Sequence, residues 1–188
     1  MRLTRTGLLL AAGASRRFGA DDKLLAMLHD RPVIAHAAEA MRKASLERRI
    51  AVIANAELRP FLSGFDVVKI TSGTQSDSLI AGLKAAGVPD RLLIVLADMP
   101  LVTSELLEQV VARVSDSQPA ACHDEGPPMP PACFPKNWLA RLADASGDRG
   151  AGRFIRDLPA SALIPARGML ADIDSLADLD RLEKQPRP

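Results

Sequence analysis

The chain has 188 residues, enough for one domain with a full hydrophobic core, and 47% of them are hydrophobic. Its 24 Lys and Arg nearly balance 23 Asp and Glu, so the net charge of +1 gives no basic footprint for nucleic acid and no polybasic arm for a membrane. Aromatic residues make up 3%, with no Tyr and the single Trp138, which argues against base-stacking platforms for single strands.

Leu8-Leu9-Leu10-Ala11 is a short apolar run that reads as a buried strand, and Ala12-Gly13 marks where the chain leaves the sheet. The run is too short for a transmembrane helix, so the sequence reads as a soluble cytoplasmic protein. The stretch Gly13-Ala14-Ser15-Arg16-Arg17-Phe18-Gly19-Ala20-Asp21-Asp22-Lys23 then changes character to small residues and cations. Successive backbone N–H groups in such a loop form a concave anion site, and Arg17 and Lys23 add full positive charges. It has neither the Gly-Lys-Ser/Thr of a Walker loop nor the G-x-G-x-x-G spacing of a dinucleotide fingerprint.

Lys23–Leu28 reads as a short extended or turn segment, His29–Pro32 as a turn, and Pro32 as the start of a helix to about Ala44. Arg49–Ala54 reads as a strand, Glu57–Ser63 as a brief helix and Asp66–Ile70 as another strand. A helix is predicted over Ser76–Ala86, with Leu79, Leu83 and Ala86 on its buried face. Arg91–Leu96 is an apolar strand ending in Ala97-Asp98-Met99-Pro100, and Ser104 is placed to cap a helix through Ser115. Strands alternating with helices at this spacing imply a mostly parallel sheet covered on both faces. Ligands in such sheets sit beyond the carboxyl ends of the strands, which brings Gly13 and Asp98 to one pocket.

The second half is less regular. Ala120–His123 and Ala132–Phe134 read as strands around a Gly/Pro-rich loop over Asp124–Pro131, and Asn137–Ala143 as a short helix. Gly147–Gly152 is a turn before a helix to about Leu158. Ala162–Pro165 and Leu170–Asp174 read as strands, the latter at an edge, and Ser175 starts a last helix to Glu183. Residues 1–184 are expected to form a single domain, with 185–188 a disordered tail. Cys122 and Cys133 read as reduced, buried small side chains, without metal-ligand spacing to His123.

The pattern L-A-A-G-x-S-x-R-[MF]-G-x(3)-K-L-L, met here from Leu10 into Leu25, is similar to the signature loop of the nucleotidyltransferases, in particular those of the molybdenum cofactor. The resemblance implies a three-layer α/β/α Rossmann-like fold with a mostly parallel mixed sheet. It also implies Mg²⁺-dependent transfer of a nucleoside monophosphate from an NTP to the phosphate of molybdopterin, with release of pyrophosphate. By the same resemblance Leu10, Ala11, Ala12, Gly13, Ala14 and Ser15 would bind the nucleotide, while Arg17 and Lys23 would be catalytic.

Asp98 then stands where the family has a metal-binding aspartate, although a loop cap is the ordinary reading of such a residue. Ser76–Leu83 resembles the family's S-L-x-x-G segment and makes Ser78 a nucleotide contact, or simply a helix cap. Asp172–Leu179 resembles D-I-D-T-P-E-D-L, with Ser175 for Thr and Leu176 for Pro. This points to Asp174 as a second metal ligand, with capping of the last helix as the alternative, and to Asp172 at the acceptor. Gly147–Arg153 resembles an acceptor-pocket segment of the cytidylyl branch, which puts Asp148 and Arg149 at the acceptor too, Asp148 being equally suited to cap a helix.

The nucleotide is expected to be CTP, because Ala12 and the two C-terminal segments follow the cytidylyl pattern. GTP is the runner-up, because the gap from Gly19 to Lys23 has the guanylyl length. A sugar-phosphate nucleotidyltransferase and a non-catalytic nucleotide-binding protein are further alternatives. The expected partners are the NTP, molybdopterin and a molybdoenzyme or its chaperone that receives the product, with no nucleic acid and no membrane.

Overall fold

The computed structural model describes residues 3–13, 18, 22–71, 74–144 and 147–185, with only the backbone of 147–150. The elements in order are β1 (Arg5–Ala11), β2 (Met27–Leu28), β3 (Arg31–Pro32), α1 (Val33–Lys43), β4 (Arg48–Ile53), β5 (Asp66–Lys69), α2 (Gln75–Ala86), β6 (Arg91–Leu96) and α3 (Ser104–Arg113). There follow β7 (Ala120–His123), β8 (Met129–Pro135), α4 (Leu139–Ala143), β9 (Leu163–Pro165) and α5 (Leu176–Glu183). Short 3₁₀ helices cover Ala56–Phe61 and Gly147–Phe154 among others.

Among the described residues one seven-stranded sheet runs β5-β4-β1-β6-β8-β7-β9. Strands β5, β4, β1 and β6 are mutually parallel, β8 is antiparallel to both β6 and β7, and β7 is parallel to β9. The sheet is therefore mixed and mostly parallel, and the helices on its two faces make a three-layer α/β/α fold. The central strands show why their sequences are uninterrupted apolar runs: both faces are buried. On β1, Leu9 and Ala11 face the core shared with α1 and α3, while Leu8 and Leu10 face the core shared with α2 and α4. β4 and β6 divide in the same way, Ile53 and Val95 on one side, Val52 and Ile94 on the other.

Two glycines set how closely the layers approach. A Cβ on Gly7 would lie 2.7 Å from Leu46 Cδ1, and one on Gly82 would lie 2.7 Å from Leu8 Cδ2. Glycine within α2 thus lets that helix settle onto β1.

Helix starts are chemically explicit. Thr74 and Asp77 form a capping box on α2, and Ser175 and Asp178 form one on α5. α3 is capped by Thr103, whose Oγ1 accepts from Leu106 N at 3.2 Å, and not by the expected Ser104. Ser104 is instead the first helical residue, its hydroxyl turned to Glu105.

Two expected elements are absent from the described residues. Leu170–Asp174 forms no strand; its Ile173 N makes a single bond to Asp98 O at 2.9 Å in place of a ladder. Gly147–Phe154 is a 3₁₀ segment and no α-helix continues to Leu158, in keeping with three glycines in six residues, which disfavour helix. Cys122 and Cys133 are free and buried, and burial pushes both thiols up to about 12. No helix among the described residues is long and apolar enough to cross a membrane. The expected tail falls on residues of which 186–188 lie outside those described.

Candidate active site

The site is built where β1 and β6 end side by side. Their register pairs Leu10 with Leu96, and Ala97 N donates to Leu10 O at 3.0 Å, so Gly13 and Asp98 leave the sheet together. A Cβ built on Gly13 meets nothing within 4 Å. Packing does not demand that glycine, and the space it leaves belongs to the cleft. The cleft is lined by Leu10–Gly13, by Lys23 and Leu24, by Leu96 and Asp98, and by Gln75 and Ser78 at the start of α2. It therefore unites four of the expected nucleotide-binding residues of the first loop with Ser78, Lys23 and Asp98. Ala14, Ser15 and Arg17 lie outside the described residues. Phe18 is buried in the core on the α1 side.

Lys23 is brought in by a tight turn in which Leu25 N donates to Asp22 O at 2.9 Å. Its Nζ donates to Asp98 Oδ2 at 2.7 Å and to Asp174 Oδ1 at 3.0 Å. The Lys23 side chain is 8% exposed, so this ammonium is almost fully withdrawn from water. Burial works to lower its pKa, but Asp98 first and Asp174 next outweigh it, and Lys23 is held above its ordinary value.

Asp174 reaches this point because Ile173 is fully buried and hydrogen-bonded to Asp98 O, which leaves Asp174 half-buried beside it and Asp172 exposed. The capping alternative for Asp174 is taken instead by Ser175, whose hydroxyl accepts from Asp178 N. The carboxylate of Asp178 in turn accepts from Ser175 N and Oγ. Asp172 has its carboxyl pushed up, by burial first and then by the charges of Asp174 and Asp98.

Two carboxylates, Asp98 and Asp174, thus bond the ammonium of Lys23, and the charge of Asp172 acts on them from the rim. Asp98 Oδ1 is buried with no hydrogen-bond partner among the described residues. A buried carboxylate oxygen without a donor is costly unless a cation meets it. No group of three or more His, Cys, Asp or Glu among the described residues converges to hold an ion unaided. The donor set suits a hard divalent cation held by one or two carboxylates with its other positions left to further oxygen ligands.

Ser78 is buried and its hydroxyl donates to Thr74 O at 3.3 Å, so it serves α2 as well as lining the cleft. Gln75, which sequence reasoning passed over as part of a helix start, lines the same cleft and makes no side-chain hydrogen bond among the described residues. Asp148 and Arg149 sit on the 3₁₀ segment that packs against α2, and their side chains lie outside those described. Arg153, beside them, donates to Asp144 O at 3.0 Å and lies over the Phe154 ring. His123 Nδ1 is 3.0 Å from Asp124 O.

A cleft at the carboxyl ends of two adjacent parallel strands is where α/β proteins of this class bind their ligands. The chain belongs to the MobA-like NTP transferase domain family, whose model matches residues 7–162. It is 30% identical to a probable molybdenum cofactor guanylyltransferase of Pyrococcus horikoshii, over 61% of this chain and 58% of that one. The match thus spans little more than half the length of that relative. It is also 30% identical to a molybdenum cofactor guanylyltransferase of Pseudomonas fluorescens, over 84% of this chain and 82% of that one. The crystal structure of Rv0371c from Mycobacterium tuberculosis H37Rv shares the fold at a TM-score of 0.85 and 24% identity, covering 97% of this chain and 100% of that one. The complex of Rv0371c with manganese matches at a TM-score of 0.81 and 23% identity, with the same coverage.

Proposed function

We propose that this chain transfers a nucleoside monophosphate from an NTP to the phosphate of molybdopterin and releases pyrophosphate, in the biosynthesis of the molybdenum cofactor. The observation that carries the reading is Lys23, withdrawn from water and bonded to both Asp98 and Asp174 at the mouth of a glycine-edged cleft. The backbone at Ala12 and Gly13 is open to close approach by the triphosphate. Arg17 adds charge from the same loop. Lys23 leaves its carboxylates to donate to a phosphate oxygen as charge develops there, and catalysis is mostly positioning and electrostatics. Asp98 and Asp174 would hold a divalent cation, Mg²⁺ in this reading, which supplies neutralisation of the phosphate charge when bound. The nucleophile is a phosphate monoester whose second pKa is about 6, so it is anionic at neutral pH without a general base. Asp148, Arg149 and Asp172 are assigned to the acceptor side.

Two bases are supported by different observations. GTP is favoured by the names of the two curated relatives, and CTP by Ala12 in place of a glycine. Pyrophosphate release is the deciding measurement, with Mg²⁺ and each of the four NTPs, with and without molybdopterin. Release that depends on molybdopterin and on one NTP supports the reading and names the base. Binding of NTP without release under any of these conditions overturns it in favour of another acceptor or a nucleotide-binding module. Delivery of the product to a molybdoenzyme or its chaperone, in the cytoplasm, completes the proposal.

A further inference from the structure

Lys23 has a supporting strut that the sequence motif does not include. The turn that carries it is organised by Asp22, whose Oδ1 accepts from Leu24 N at 3.0 Å and whose Oδ2 accepts from Asn55 Nδ2 at 3.0 Å. Both oxygens of a carboxylate adjacent in sequence to the catalytic lysine are thereby occupied by neutral N–H donors. Asn55 lies two residues beyond β4, whose Ile53 is in register with Ala11 of β1, so it stands at the same carboxyl end of the sheet as the cleft. Its Oδ1 accepts from Glu57 N at 2.9 Å. These two partners fix the orientation of the amide: an ionised carboxylate only accepts and a backbone N–H only donates, so nitrogen faces Asp22 and oxygen faces Glu57.

We propose that Asn55 is a positioning residue for Lys23, acting through Asp22, and this rests on the nucleotidyltransfer reading above. The ordinary account of Asn55 is a cap for the 3₁₀ helix Ala56–Phe61. The two roles separate because the cap needs only an acceptor at this position, whereas the strut needs a donor as well. Asn55→Asp keeps the cap and turns a carboxylate toward the carboxylate of Asp22. Asp22→Asn alone sets an amide N–H against the amide N–H of Asn55. The reciprocal exchange, Asp22→Asn with Asn55→Asp, restores one donor facing one acceptor and leaves Leu24 N and Glu57 N with acceptors.

The test measures steady-state pyrophosphate release and, independently of any reaction, hydrogen exchange at the Leu24 amide. Each single variant should lower kcat at least tenfold with KM for the NTP changed less than threefold, and should speed Leu24 exchange at least tenfold. The exchanged pair should return both quantities to within threefold of the starting protein. Single variants within threefold of the starting protein in both readouts would overturn the proposal. So would a raised KM with unchanged kcat that the exchange does not rescue, since Asn55 would then touch the nucleotide itself. If the unaltered protein releases no pyrophosphate, the nucleotidyltransfer reading falls. The strut then stands or falls on Leu24 exchange alone.

Discussion

Lys23 Nζ lies 2.7 Å from Asp98 Oδ2 across 75 residues of sequence. The contact fastens the turn after the first loop to the end of β6, and Asp174 joins it from the start of the last helix. One ammonium therefore holds together three segments that share no secondary structure. The arrangement is also electrostatically incomplete, since Asp98 Oδ1 is left without a donor among the described residues. In the proposed reaction the same group would serve both stability and reactivity, and the two can be separated by measurement.

Lys23→Ala removes the cation from between Asp98 and Asp174. We expect a loss of about 1–3 kcal/mol in urea unfolding, less than the ~3–5 kcal/mol of a fully buried pair. The reason is that Asp98 is 21% and Asp174 33% exposed. The rate of pyrophosphate release should fall about 10²–10³-fold, as when a donor to developing charge is removed, while the Kd for the NTP moves much less. Equal losses in rate and affinity would mean that Lys23 serves binding alone.

Asp172 holds its proton more tightly in the folded chain than in the unfolded one, because burial and then Asp174 and Asp98 disfavour its charge. The folded protein therefore binds more protons between the ordinary Asp range and this raised value, and stability falls as pH rises through that window. Asp172→Asn should have a higher Tm than the parent at neutral pH, and the two should converge below the ordinary Asp range. Melting curves from pH 3 to 7 check this; a Tm difference that does not narrow on acidification refutes it.

Gly82→Ala pits helix propensity against packing. Alanine gains about 1 kcal/mol in a helix interior, but its Cβ would crowd both δ-methyls of Leu8, which is fully buried. Overpacking of this kind costs about 1–3 kcal/mol, so we expect net destabilisation by urea titration. Leu8→Val added to Gly82→Ala should recover part of it. A stabilised single variant would show that α2 can slide on β1.

Gln75 and Ser78 line the same cleft but are committed differently. The Ser78 hydroxyl is engaged with Thr74 O, while the Gln75 amide makes no hydrogen bond among the described residues. Gln75→Ala should weaken NTP binding by about tenfold, ~1.4 kcal/mol, and Ser78→Ala by less. Calorimetric titration with the accepted NTP orders the two, and the reverse order would remove Gln75 from the ligand's surroundings.

How far the sequence could be read depended on how each residue is employed. β6 and β7 match their expected spans, Arg91–Leu96 and Ala120–His123, because strands buried in a sheet leave short apolar runs with sharp ends. β8 extends to Met129–Pro135 beyond the expected Ala132–Phe134, since Pro130, Pro131 and Pro135 hide a strand from any propensity argument. Over Leu170–Asp174 the burial does not alternate as a strand requires, since Leu170 and Ile173, three residues apart, are both buried, and no ladder forms there. The gathering of Lys23, Asp98 and Asp174 was legible only because a motif linked distant segments. Asn55 was not, because an asparagine after a strand reads as a cap, and its second hydrogen bond exists only once the chain is folded.

The reversal at β8 has an architectural consequence. Because β8 runs against β6 and β7, His123 and Met129 both emerge at the end of the sheet where Asp98 lies. The connection between them is a plain hairpin rather than a helical crossover. The entropy of closing such a loop rises only with the logarithm of its length, each doubling costing about 0.6 kcal/mol. The parallel half of the sheet has no such freedom, since every connection there carries a packed helix. Accretion and loss of residues are thus cheap in the loop between β7 and β8, beside the Asp98 end of the sheet, and dear among the parallel strands.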